Sequence, residues 1–180
     1  DFQHSDAFKP DLARIGYHKG VPMGGDITNG PKEKSPSFLI RATKDPVGAN
    51  LDRVQVIKGW HDKNGQLHEQ VYNVALSDER TIGKDGKPPL VGNTVNLKDA
   101  SYRNSIGDPE LAVVWQDPDF DKTERAFYYL RVLEIPTPTW QVYDAKRYAF
   151  NLPEDITPII QERAYSSPIW YSPRAPAIAD

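Results

Sequence analysis

Apolar and polar positions alternate along much of this chain with a period of two, the spacing of a half-buried β-strand. In SFLIRAT, residues 37–43, Phe38, Ile40 and Ala42 alternate, and in DRVQVIKGW, residues 52–60, Val54 and Val56 share a face. GQLHEQVYNVAL, residues 65–76, follows at once. ELAVVWQD at 110–117 is strongly β-prone, and RAFYYLRVLEI at 125–135 is β-branched and aromatic for most of its length. A further strand is expected to start at TVNL, 94–97, and the last is ERAYSSPIWYS, 162–172, where Pro168 is tolerable at an edge or bulge.

Two stretches read as short helices. Pro10 to Lys19 has Pro near its start, Leu12 and Ile15 on one face and Gly20 past its end. Thr139 to Phe150 follows Pro138, with Trp140, Tyr143 and Tyr148 near one face. In NLPEDITPII, 151–160, Pro153-Glu154-Asp155 looks like a helix start that Pro158 would interrupt. VPMGGDITNGP, 21–31, and DERTIGKDGKPPLVGN, 78–93, read as loops. Strands at hairpin-like spacing with few helices predict a mainly β fold, an antiparallel β-sandwich of immunoglobulin-like kind with one or two short helices. The expected organisation is an irregular lead-in over 1–36, the sandwich over 37–172 and a flexible tail over 173–180.

Composition narrows the function classes. The length of 180 residues suits one domain with a real core. A charged fraction of 26 % beside 38 % hydrophobic residues marks a soluble globular chain. The 16 prolines, spread throughout, disfavour long helices. A net charge of −3 gives no basic surface for a nucleic-acid backbone. The absence of cysteine excludes disulfides and thiolate metal sites, and no apolar run approaches a membrane span. The chain starts Asp1-Phe2-Gln3 without Met, which suggests that a leader was removed or that it belongs to something longer.

Candidate chemistry is sparse. In WHDKNGQLHE, Asn64-Gly65 is a strong two-residue hairpin signal. With those two residues as the loop, His61 stands opposite His68 with Cβ atoms roughly 5 Å apart, close enough to share a metal. A metal needs further ligands, while Asp62 and Glu69 would point to the other face, so the segment reads as an exposed hairpin tip with no ion. In DPDFD, Asp117, Asp119 and Asp121 have the odd-position carboxylates of a calcium loop, but Lys122 and Tyr128 stand where that loop needs Gly and Glu. A solvated turn is the expectation there. The glycines of GVPMGGD match no phosphate-cradling loop, and neither GxSxG nor HExxH occurs. Trp140, Tyr143, Arg147 and Tyr148 form an aromatic-basic cluster suited to packing, to a ligand or to another domain.

Several longer phrases occur together: GVPMGGD, PSFLIRATKDPVGANLDRVQVIKGW, GNTVNLKDASYRNSIGDPELAVVWQDPDFD, RAFYYLRVLEIPTPTWQVYDAKR and ERAYSSPIWYSP. Over about residues 17–173 they resemble the C-terminal region of a large bacterial domain-of-unknown-function family, and Asp1-Phe2 resembles that region's start. Members of that family are several times longer than this chain. Their N-terminal part is similar to PHP-type metallohydrolases, the polymerase and histidinol phosphatase superfamily, and to carbaryl-hydrolase-like enzymes. There, His-x-His and further His, Asp and Glu residues hold divalent metals that activate water. In the related enzymes a C-terminal β-sandwich ends in a strand like Ser167-Pro168-Ile169-Trp170-Tyr171 here.

No His-x-His occurs in this chain, so no catalytic residue is carried over to it. The resemblance implies an accessory β-sandwich domain that braces a PHP-like catalytic domain and lines its substrate cleft. The divalent metal is expected in that N-terminal domain, and none in this chain. The isolated chain is then not itself an enzyme. Trp140, Tyr143 and Arg147 are the expected contacts with the catalytic domain or its ligand. The resemblance leans the compartment towards periplasmic or secreted, which the residues leave open. Two rivals stand beside this reading. One is a free-standing carbohydrate- or ligand-binding sandwich module, and the other is a small metalloenzyme using His61, His68 and nearby carboxylates.

Overall fold

The computed structural model describes residues 1–28, 34–84 and 86–173. Among the described residues the fold is mainly β, with two α-helices and several sheets and no barrel. A 3-10 turn at His4–Phe8 precedes α1 (Leu12–Lys19). The strands are β1 (Asp26–Ile27), β2 (Ser37–Thr43), β3 (Leu51–His61), β4 (Leu67–Leu76), β5 (Glu110–Gln116), β6 (Arg125–Glu134) and β7 (Thr137–Pro138). After α2 (Trp140–Tyr148) come β8 (Ile159–Ile160), β9 (Arg163–Tyr165) and β10 (Ile169–Tyr171).

Three strands dominate. β6, β3 and β4 pair antiparallel in that order in a six-stranded sheet, with β4 at one edge. β10 and β9 share the far edge of β6, β10 opposite Ala126–Tyr128 and β9 opposite Arg131–Leu133. Parallel pairing of β1 with β10 makes the sheet mixed, where a purely antiparallel one was expected. β2 and β5 form a separate antiparallel pair, as do β7 and β8.

The β2–β5 pair covers one face of the large sheet. Phe38, Ile40 and Leu111 from the pair meet Leu51, Val54, Val56, Ala126 and Tyr128 from the sheet, and these form the buried hydrophobic cluster between them. Alternation explains the selection: Ala126, Tyr128, Leu130 and Val132 point inward from β6, while Phe127, Tyr129 and Arg131 point to the opposite, outer face. Gly59 on β3 is required by one of those outer residues. A Cβ there would lie 2.3 Å from Cζ of Phe127, whose ring lies over the glycine.

The long connection from β4 to β5 is tied down by polar groups in place of strands. Asp52, fully buried on β3, accepts from Arg80 (Nη2 to Oδ1 2.6 Å) and Gln161 (Nε2 to Oδ2 2.8 Å) and also pairs with Arg53. Gly107 sits at φ +73°, and a Cβ on it would lie 2.6 Å from Cγ2 of Ile135.

Two expected strands differ. TVNL makes only the isolated bridge Asn96↔Ser101. Oδ1 of Asn96 accepts from the backbone N–H of Lys98 (3.1 Å) and Asp99 (3.3 Å), which turns the chain back on itself. Residues 162–172 are two short strands, β9 and β10, instead of one. At the break, Oγ of Ser166 accepts from the Leu130 N–H at 2.9 Å, and the Pro168 carbonyl turns away to the Gly24 N–H at 2.9 Å. A side chain replaces the backbone acceptor there, and Pro168 has no donor to continue the ladder. From residue 174, the expected tail lies outside the described residues, as do residues 29–31 of the early loop.

Candidate functional site

The β3–β4 hairpin differs from its expected register by one residue. His61 pairs with Leu67, and Trp60 pairs with His68. The loop has three residues, Lys63-Asn64-Gly65. The Asp62 N–H donates to the Gln66 carbonyl (3.0 Å), and the Gly65 N–H donates to the Asp62 carbonyl (3.1 Å). Gly65 takes the left-handed position at φ +82°. The decisive residue is Asp62, whose Oδ1 accepts from the N–H groups of Asn64 (2.9 Å) and Gln66 (2.8 Å). That local capping lengthens the loop, and a one-residue slip turns each side chain on the slipped strand to the other face.

So His61 and His68 do not face each other. His68 stacks on Trp60 with centroids 5.1 Å apart, and its Nε2 lies 3.0 Å from Oδ2 of Asp62. Asp62 was expected on the opposite face; here it is the partner of His68. That hydrogen bond first, and the loop N–H groups after it, hold the Asp62 carboxyl below its ordinary range.

Asp117, Asp119 and Asp121 are likewise spent on separate protein donors. Oδ2 of Asp117 accepts from Lys58 Nζ and from the Tyr128 hydroxyl, each at 2.7 Å, and its Oδ1 accepts from the Asp119 N–H at 2.9 Å. Asp117 is 2 % exposed, which corrects the expectation of a solvated turn. Oδ2 of Asp119 accepts from the Tyr72 hydroxyl at 2.8 Å, and its carbonyl accepts from Lys58 Nζ at 2.7 Å. Asp121 caps the Thr123 N–H at 2.8 Å. Burial, followed by the hydrogen bonds to these carboxylates, raises both Tyr128 and Tyr72 above the ordinary phenol range. Among the described residues no three His, Cys, Asp or Glu side chains gather as a metal-holding group.

The aromatic-basic cluster lies on α2. Only Val142 of this helix is buried, and Lys146 Nζ donates to the Asp99 carbonyl at 2.8 Å, fixing the helix on the 94–107 loop. Trp140, Tyr143 and Arg147 follow the three- and four-residue spacing of one helical face, and all three are exposed. Trp140 is 69 % exposed. The Arg147 guanidinium lies 5.6 Å from the Tyr148 ring centroid. At the C-terminus, Ala149 adopts the left-handed conformation (φ +54°) and donates its N–H to the Ala145 carbonyl.

A cleft of about 590 Å³ opens between α1 and the inner face of the large sheet. Leu12 and Tyr17 line it from α1, Phe38 and Ile40 from β2, Leu130 from β6 and Ile169 from β10. No residue of α1 is fully buried, so the helix stands over the cleft without filling it.

The family model described as "Protein of unknown function (DUF3604)" matches residues 1–173. The chain belongs to this family. No curated protein and no solved structure matches it. The match to the DUF3604 model includes the hairpin, the Asp117 network, α2 and the cleft. Among the described residues no helix is long and apolar enough to cross a membrane.

Within this DUF3604 domain, the α2 cluster was visible from helical spacing alone. The cleft was not, because its walls come from segments far apart in sequence. The Lys58–Asp117 pair left one weak signal, a lysine in the inward-facing row Val54, Val56, Lys58 of a strand whose neighbours are apolar.

Proposed function

We propose that this chain is the C-terminal accessory β-domain of a larger PHP-like metal-dependent hydrolase. It braces the catalytic domain and lines part of its substrate cleft. The observation that carries this reading is the outward face of α2. Trp140, Tyr143 and Arg147 are the residue types that dominate protein contacts, and here they are held on a helix anchored through Val142 and Lys146. The β2–β5 pair packed over the large sheet supports reading the body as a small sandwich of immunoglobulin-like kind. The described residues form no metal set, so no step of hydrolysis is assigned to them. The divalent metal belongs, in this reading, to the domain upstream of Asp1.

The test begins with the reading frame upstream of Asp1, where a domain bearing His-x-His is expected. In the protein so defined, Trp140→Ala with Arg147→Ala should speed proteolytic cleavage between the domains and lower hydrolysis. The purified 180-residue chain should hydrolyse nothing. Activity in that chain alone, or the absence of such an upstream domain, ends the proposal.

A further inference from the structure

The outer face of the large sheet carries a continuous row of aromatic rings. Trp170 on β10 lies 5.3 Å from Phe127 on β6, Phe127 lies 6.3 Å from Tyr129, and Tyr129 lies 6.3 Å from Tyr165 on β9. The Phe127 and Tyr129 rings are nearly parallel, at 11°. The row has a firm floor: Phe127 lies over Gly59, and Ile57, opposite Tyr129, is 1 % exposed. The two ends are open, with Trp170 at 46 % and Tyr165 at 58 % exposed.

Beside the rings runs a polar row across three strands. Gln55 Nε2 donates to Asn73 Oδ1 at 2.8 Å, and Arg131 Nε donates to Gln55 Oε1 at 2.7 Å. Arg131 stands opposite Tyr165, so the two rows converge. Among the described residues, the hydroxyls of Tyr129 and Tyr165, the Trp170 indole N–H and the terminal nitrogens of Arg131 have no hydrogen-bond partner. The face therefore offers a run of aromatic rings, the middle two nearly parallel and the end two tilted by 49° and 43°, together with several free donors.

We infer that this face binds a neutral saccharide chain. A pyranose ring has an apolar C–H face that stacks on an aromatic ring, while its hydroxyls project sideways to donors and acceptors. The spacing between the rings is close to the advance of one sugar unit along a glycan. A plain apolar partner would leave the free donors unsatisfied on burial. A polyanion is disfavoured by the chain's net charge of −3. The inference does not rest on the accessory-domain reading, because α2 contributes no residue to this face.

The experiment is affinity electrophoresis of the whole chain in native gels containing hydroxyethylcellulose, xylan or galactomannan, with polygalacturonate as the anionic probe. Retardation on at least one neutral polymer is expected, and little on polygalacturonate. Trp170→Ala and Tyr165→Ala should each weaken it about five- to tenfold, and Phe8→Ala, an exposed ring on the turn that packs against β2 and β5, should leave it unchanged. Thermal unfolding checks that the variants fold. If Trp170→Ala does not, Tyr165→Ala decides alone, since that ring is exposed. Absence of retardation on every neutral polymer, or retardation indifferent to Tyr165→Ala, overturns the inference. So does a face that instead pairs two copies of the chain, seen as a dimer in sedimentation that Tyr165→Ala abolishes.

Discussion

Lys58 and Asp117 form an ion pair inside the protein, Nζ to Oδ2 at 2.7 Å, with side chains 4 % and 0 % exposed. The pair joins the central strand β3 to the start of the β5–β6 connection. Its geometry meets the conditions under which a buried pair is tolerable. The ammonium also donates to the Asp119 carbonyl and lies 5.1 Å from the Trp60 ring centroid. The carboxylate also accepts from Tyr128 and from the Asp119 N–H.

Removing one partner leaves the other charge buried. Lys58→Met or Asp117→Asn should each lower stability by about 3–5 kcal/mol. The double change Lys58→Met with Asp117→Leu should recover part of that loss, because no charge is then stranded. Tyr128→Phe removes one hydrogen bond to a charged group and should cost about 1.5–3 kcal/mol. Urea unfolding of the four variants measures all of this. Equal losses for the double and single variants would contradict the account.

Gly59 and Phe127 make a second coupled pair. Gly59→Ala places a Cβ where the Phe127 ring lies and should cost about 1–3 kcal/mol through overpacking. In a background of Phe127→Leu the same substitution should cost clearly less. A double-mutant cycle reads the coupling directly, and additive losses would show that the ring is not what excludes the methyl group.

Asp6 supplies a pH dependence. It is 1 % exposed by surface area and held by Lys19 and Lys9, each at 2.7 Å, and by the Gln3 N–H. Those contacts, the Lys19 hydrogen bond first, push its carboxyl far below the ordinary 3.8. A carboxyl depressed in the folded state binds fewer protons there than when unfolded. Its contribution is therefore present in full above the unfolded value and is lost as pH falls from about 5 towards the depressed folded value. Asp11, Asp62 and Asp121 shift in the same direction. Stability should fall on acidification below about pH 4, and Asp6→Asn should flatten that slope in unfolding curves taken from pH 5 to pH 2. An unchanged slope would mean that Asp6 is not a main source.

Much of this protein is local, and the sequence alone determined that part. Residues 37–43 form a strand where alternation places one, and 110–117 and 125–135 form strands close to where β-branched and aromatic residues place them. α1 and α2 form where Pro and the apolar spacing put them, and the Trp140, Tyr143 and Arg147 face follows from helical geometry. Side-chain hydrogen bonding and contacts between distant strands decided the rest. The hairpin register turned on the Asp62 carboxylate capping two N–H groups, a competition that the Asn-Gly signal does not reveal. The last strand broke because Ser166 and Pro168 meet Leu130 and Gly24. The Asp117 side chain is buried because Lys58 and Tyr128 arrive from other strands to satisfy it. The outer aromatic row exists only once β9 and β10 are both laid on β6. Spacing along a chain fixes which residues share a face, but only the packed sheet decides which faces meet, because pairing across strands depends on partners distant in sequence.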